Sequence, residues 1–252
     1  MHANPDQALS GRVALVTGGA RRVGAAIVRE LHAAGATVVI HANRSVDEAG
    51  ALRDALNAER PGSADAVRCD LDHTGELVPL IEHLVARHGR LDVLINNASG
   101  FHPTPIGRTN EAQWNELMGS NLKAPFFLSQ AAAAPLRAAR GCIVNIVDIH
   151  ARKPMRDYAV YCAAKAGLAM LTLALAKDLG PEVRVNGVAP GAILWPEAPM
   201  DPEVQREIIA TTTLKRVGDP SDVARTVVFL AADAPYITGQ IIAVDGGRSI
   251  GW

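Results

Sequence analysis

Short β-branched runs alternate with longer alanine-rich stretches along the whole chain, and this alternation leaves few folds open. The runs cover 13–17, 37–41, 66–70, 93–96, 142–147, 184–189 and 241–244. They are apolar on successive residues rather than on every second one, as expected of strands buried on both faces. Helical stretches lie between them, near 22–34, 45–59, 74–88, 111–138, 158–179 and 220–232. Such strands separated by helices predict a doubly wound α/β fold, a parallel seven-stranded sheet covered on both sides. No repeat or low-complexity linker divides the chain. The reading is therefore one domain over 1–252, with 1–10 as an N-terminal tail and 192–210 as a substrate-loop region.

Composition excludes several classes. The 252 residues are 48% hydrophobic, enough for a sizeable core, and the net charge of −1 argues against general attraction to nucleic acid or membranes. Residues 1–6 lack the basic start and apolar core of a secretory signal. No apolar run is expected to reach the length of a membrane span. Cys69, Cys142 and Cys162 are odd in number and far apart, so they read as buried thiols rather than a disulfide or metal set. The eight histidines show no paired ligand spacing, and no metal is expected. A cytoplasmic location follows as the default.

The residues that suggest chemistry fall at strand ends. The first strand runs into Thr17-Gly18-Gly19-Ala20-Arg21-Arg22-Val23-Gly24 and then a helix, whose first N–H groups can bind a pyrophosphate. Arg21 and Arg22 stand near that positive helix end and call for a counter-charge, which an anionic ligand would supply. The second strand leads into His41-Ala42-Asn43-Arg44-Ser45, with no carboxylate for ribose hydroxyls. Arg44 instead offers a guanidinium fork to a 2′-phosphate, and Ser45 a hydroxyl and an N–H, so the cofactor reads as NADP(H). Further along, Tyr161 and Lys165 are four residues apart and share a helix face. An ammonium there would favour the phenolate, lower the tyrosine pKa and make Tyr161 a usable proton donor. Tyr158 is not equivalent, because Cys162 rather than a lysine lies four residues on. The Pro-rich stretch 189–202, with Pro190, Pro196, Pro199 and Pro202 around Leu194-Trp195, is either a lid over the site or a surface crossover.

The glycine turn and the Tyr161/Lys165 pair together resemble the short-chain dehydrogenase/reductase family, whose fold is Rossmann-type. The resemblance implies that Tyr161 is the proton donor, that Lys165 also contacts the nicotinamide ribose, and that Asn121 supports Lys165 through water. It implies cofactor contacts from Gly18, Arg21, Arg22, Val23, His41, Asn43, Arg44, Ser45, Asp70, Leu71, Asn97, Ala98, Ser99, Tyr161, Lys165, Pro190, Gly191 and Ile193, with Asp70 on the adenine. Three positions depart from the usual pattern: Arg22 and Ser99 replace glycines, and Asp148 stands where ketone reducers carry serine. A serine hydroxyl donates to a carbonyl oxygen as charge develops, whereas an ionised aspartate only accepts. Asp148 therefore suits a ring nitrogen better than a simple ketone.

These departures, with Asn96-Asn97-Ala98-Ser99-Gly100-Phe101-His102-Pro103-Thr104-Pro105, resemble the pteridine reductases within that family, over nearly the whole chain. By that resemblance the substrate is a pterin or folate held by Arg22, Ser99, Phe101, Asp148, Tyr161, Leu194 and Trp195, with Phe101 stacked on the pterin. Gly100 and His102 depart from the serine and the phenol expected there. The family also implies a homotetramer, built through the middle helices and the C-terminal segment. Two rival readings stand beside this one: a carbonyl reductase of the same fold, such as a 3-oxoacyl thioester reductase, and a non-catalytic NADPH-binding regulator.

Overall fold

A computed structural model describes residues 7–195 and 200–251. Residues 1–6, Pro196, Pro199 and Trp252 lie outside this range, and with them part of the expected tail and of the Pro-rich stretch. Seven parallel strands form one sheet in the order β3-β2-β1-β4-β5-β6-β7. They are β1 Val13–Val16, β2 Thr37–Ala42, β3 Ala64–Arg68, β4 Val93–Asn96, β5 Cys142–Ile146, β6 Arg184–Pro190 and β7 Ile241–Val244. The chain reverses its direction of travel across the sheet between β1 and β4, which opens a crevice at their carboxyl ends.

Strand periodicity sorts side chains between two cores. Ala14, Val16, Val38, Ile40 and Val144 face α1 (Arg22–Ala33), α2 (Val46–Glu59) and α8 (Pro220–Ala232). Val13, Leu15, Val39, Leu94 and Ile143 face α3 (Leu77–His88), α5 (Ala124–Ala139) and α6 (Ala159–Leu179). Alternate residues thus enter opposite cores, and neither face can carry a polar stripe.

Four expectations need correction. The stretch near 111–138 is not one helix: α4 (Glu111–Met118) passes through a π turn, Gly119–Lys123, into α5. A side chain on Gly119 would stand 2.5 Å from an Asp72 oxygen, so the Asp72 side chain would have to move aside to admit one. The third strand begins at Ala64 rather than 66, because an edge strand is set by its one neighbour, and Val38 of β2 pairs with Ala64. The substrate-loop region contains a helix, α7 (Pro202–Thr211), capped by Asp201, which accepts from the Glu203 N–H at 2.8 Å. Asp201-Pro202-Glu203 is a legible start signal, since Pro at the first helical position has no N–H to leave unpaired. Finally, α6 is long and apolar enough to cross a membrane by length and composition, with mean hydropathy 1.7. Val160, Leu168, Leu175 and Leu179 are nonetheless buried, as in the core helix of a sheet protein.

Asp92 fastens the opposite, amino-terminal edge. Its fully buried carboxylate accepts from the Val13 N–H at 2.9 Å and from Arg90 at 2.8 and 2.6 Å, while its carbonyl accepts from Cys142 at 2.8 Å. Asp92→Ala strands the Val13 donor and should cost about 2–3 kcal/mol. Urea unfolding would register this loss, while dinucleotide binding by the folded protein, at the far edge, should be unchanged.

Candidate active site

The glycine turn is held from below. Thr17 Oγ1 accepts from the N–H groups of Asn97 (2.9 Å) and Ala98 (3.0 Å), and Asn97 Nδ2 donates to the carbonyls of Thr17 (2.8 Å) and Gly18 (3.1 Å). Asn97, expected to line the cofactor, thus spends its side chain on the turn. Gly18 is left-handed (φ +59), and a Cβ on Gly24 would stand 2.1 Å from the Gly18 carbonyl. Arg22 keeps a left-handed φ of +54 although it carries a side chain. That geometry costs about 1–3 kcal/mol and persists only where the surroundings impose it.

His41 is a brace for this turn. Its Nδ1 can only accept from the Gly18 N–H (3.3 Å), so the proton sits on Nε2, which donates to the Cys69 carbonyl (3.0 Å). Burial lowers its pKa and keeps the ring neutral, against the opposing pull of the Cys69 carbonyl and of Asp70. With both nitrogens engaged, the ring supports the cofactor site rather than facing a ligand.

The donor set fits a dinucleotide cofactor. Helix α1 starts with no capping side chain and no acid in its first turn, beside Arg21 and Arg22. Arg44 is exposed at the end of β2, and Ser45 is the uncapped start of α2. Arg21 already meets Glu48 at 3.9 Å, and Arg22 donates to the Trp195 carbonyl at 2.9 Å, so neither waits on a ligand for a partner as the sequence suggested. Asp70 accepts from the Asp72 N–H at 3.2 Å next to buried Leu71. Ile193 points into the core against Gly218, leaving only its backbone for the site; Val23, Asn43, Pro190 and Gly191 lie partly exposed around the crevice.

Beyond β5 the chain turns sharply, and Asp148 caps a short 3-10 turn, Ile149–Ala151. Its Oδ1 accepts from the His150 N–H (2.8 Å) and its Oδ2 from the Tyr161 hydroxyl (2.7 Å). Lys165 is 2% exposed, donates to the Ile146 carbonyl at 2.9 Å, and has its ammonium 5.8 Å from the Tyr161 ring centroid. The expected lowering of the tyrosine pKa is reversed. Burial first, then the adjacent Asp148, push the Tyr161 phenol well above its ordinary value. Burial brings Lys165 down to about 8, with Asp148 opposing. The acceptor at 2.7 Å stabilises the neutral phenol more than a lysine directed at a carbonyl stabilises the phenolate.

Asn121 is fully buried in the π turn. Its Nδ2 donates to the carbonyls of Leu117 and Gly100, both at 3.0 Å, and its Oδ1 accepts from Ser99 Oγ at 2.7 Å. It therefore anchors the loop that begins at Ser99. That loop carries Phe101, 48% exposed, stacked on Tyr158 (centroids 4.7 Å, planes 22° apart) and edge-on to Tyr161 (4.9 Å, 83°). Leu194 is exposed and Trp195 half-buried after β6.

Sequence reasoning missed Thr17, dismissed Tyr158, and overlooked Arg248. Burial holds the Arg248 guanidinium below its usual range, and Asp148 is the first of the carboxylates opposing that effect. Helical spacing pairs Tyr161 with Lys165, but nothing in the sequence pairs Tyr158 with a phenylalanine on another strand's loop.

Comparison with known proteins agrees with this geometry. The family model described as enoyl-(acyl carrier protein) reductase matches residues 18–249. Pteridine reductase 1 of Leishmania tarentolae is 37% identical, over 94% of this chain and 96% of its own. L-fucose dehydrogenase of Bos taurus is 35% identical (96% and 91%), and a 3-oxoacyl-(acyl-carrier-protein) reductase of Thermotoga maritima 34% (96% and 99%). The chain belongs to the short-chain dehydrogenase/reductase family of NAD(P)-dependent oxidoreductases.

Proposed function

We propose that this protein is an NADPH-dependent pteridine reductase. It would convert a dihydropterin or dihydrofolate to the tetrahydro form, and oxidised pterins by the same chemistry, by hydride transfer to a ring C=N. The observation that carries this reading is Asp148. Both of its oxygens accept hydrogen bonds, one from Tyr161 itself, so the residue facing the reacting atoms offers nothing to a developing alkoxide. Phe101, an exposed aromatic face beside Tyr161, supports a flat heteroaromatic substrate. The likeness to the Leishmania enzyme points the same way.

The bound nicotinamide supplies the hydride. Tyr161 and Asp148 handle the proton. In the hydrogen bond as it stands, Tyr161 donates inward; delivering a proton to a ring nitrogen requires that Asp148 take up a second proton from solvent and that Tyr161 turn its O–H outward. Asp148 then passes its proton across the 2.7 Å separation to Tyr161 as Tyr161 gives its own to the nitrogen. Lys165 holds positive charge 5.8 Å from the Tyr161 ring and would contact the nicotinamide ribose of a bound cofactor. Arg44 and Ser45 favour the 2′-phosphate of NADPH, since β2 ends without a carboxylate.

We also propose a homotetramer acting in the cytoplasm. Exposed Phe126 and Phe127 on α5 and Met170 and Leu173 on α6 support association, and three buried free thiols suit a reducing compartment.

NADPH oxidation by the purified protein should depend on dihydrobiopterin or dihydrofolate. Oxidation driven only by an acetoacetyl thioester would make it a carbonyl reductase, and binding without oxidation a regulator. Tyr161→Phe should lower kcat by about 10²–10⁴-fold while NADPH still binds; unchanged turnover would remove the tyrosine from the mechanism. Arg44→Ala should weaken NADPH roughly tenfold or more and NADH little, as expected for loss of a charged hydrogen bond; equal losses would reject the 2′-phosphate role. The pH dependence follows from Lys165. Its folded pKa of about 8 lies below the ordinary lysine value, so its charge is present at lower pH and lost as pH rises through about 8. A plot of kcat/KM against pH for the free enzyme should therefore fall on the alkaline side of that value, and Lys165→Arg should remove the limb.

A further inference from the structure

The loop bearing Phe101 is fastened at both ends. At its start, Gly100 donates to Ser120 Oγ (3.1 Å) and accepts from Asn121 (3.0 Å) in the π turn. At its far end Thr104, 1% exposed, reaches the head of α6. The first N–H groups of a helix lack partners within it, and Tyr158, at the N-cap position, offers no side-chain acceptor. The Val160 N–H donates instead to Thr104 Oγ1 at 3.3 Å, a cap supplied from 56 residues upstream. The Thr104 N–H in turn donates to the Asp157 carbonyl at 2.6 Å, and Asp157 holds a left-handed φ of +64 just before the helix. Pro103 and Pro105 flank Thr104 and restrict the backbone on both sides, so this contact costs little chain entropy. The aromatic stack of Phe101 on Tyr158 spans the same gap.

We infer that Thr104 is a positioning residue that locks the Phe101 loop to the first turn of α6, so that the aromatic face and the Tyr161 hydroxyl move as one unit. Tyr161 follows the capped Val160 directly, and Phe101 precedes Thr104 by three residues. A shift of either partner therefore reaches both the proton donor and the stacking face. The Tyr161 half of the inference needs only family membership, while the Phe101 half rests on the pterin reading above.

The test compares Thr104→Val, which keeps the shape but removes the acceptor, with Thr104→Ser, which keeps the hydroxyl. Hydrogen exchange of the 156–162 segment, NADPH binding by fluorescence, and steady-state kinetics with dihydrobiopterin and an acetoacetyl thioester are measured on each. Thr104→Val should speed exchange at Val160 and Tyr161, leave NADPH affinity unchanged, and lower kcat by roughly tenfold to a hundredfold, the range expected when reacting groups lose their alignment. Thr104→Ser should restore the exchange rate and kcat to wild-type values. Unchanged exchange and kcat in the valine variant would overturn the inference. So would a fall in NADPH affinity in step with kcat that serine does not rescue, since that marks general loosening. If wild type turns over only the thioester, the pterin reading fails, yet the lock is still judged by exchange and by kcat on that substrate. If it turns over neither, exchange decides alone. Should the valine variant not fold, Tyr158→Leu cuts the ring half of the lock. Faster exchange in 156–162, reversed in Tyr158→Phe, would then support the unit, and wild-type exchange would overturn it.

Discussion

Three contacts joining β5 and the turn that follows it to α6 form a ladder on which the candidate site depends. Climbing the strand, Asn145 donates to Thr172 (2.9 Å), the Ile146 carbonyl accepts from Lys165 (2.9 Å), and Asp148 accepts from Tyr161 (2.7 Å). The helix partners descend in number as the strand partners rise, so one docking of α6 satisfies all three. The lowest rung extends across the sheet, because Asn145 also accepts from Asn96 of β4 (2.8 Å). Buried polar groups tolerate little misalignment, since each unpaired one costs about 1–3 kcal/mol. The network thus specifies the register of α6 more sharply than its apolar face does.

Burial shapes the electrostatics of the upper rungs. Tyr161 and Lys165 are taken almost wholly out of water, which favours the neutral form of both. Asp148 then acts on the two differently: it holds the proton on Tyr161, against the phenolate that proton transfer leaves, and supports the charge that Lys165 needs. With a serine in its place that opposition would vanish. On the function proposed above, the aspartate is the residue that would separate this site from a ketone-reducing one of the same fold.

Much of the fold was legible. Seven apolar runs between helical stretches sufficed for a parallel sheet, and the β4 and β7 limits read directly from the sequence, because strands buried on both faces leave a continuous apolar signal. Where the signal was shared or weak, the reading failed. The edge strand β3 took its limits from its neighbour, α7 buries none of its residues, and the π turn at Gly119 interrupts a stretch that composition alone makes helical.

The site divides along the same line. Sequence by itself determined which residues share a helix face, where the glycine turn falls and that β2 ends without a carboxylate, because these follow from local spacing and residue chemistry. Only the tertiary structure decided that His41 braces the turn, that Thr104 caps α6, that Tyr158 stacks on Phe101, and that Tyr161 meets Asp148 closely enough to raise rather than lower its pKa. Each of these joins residues distant or unpatterned in sequence, and the sign of an electrostatic effect depends on burial and on separations of a few ångströms, which spacing along a chain does not encode.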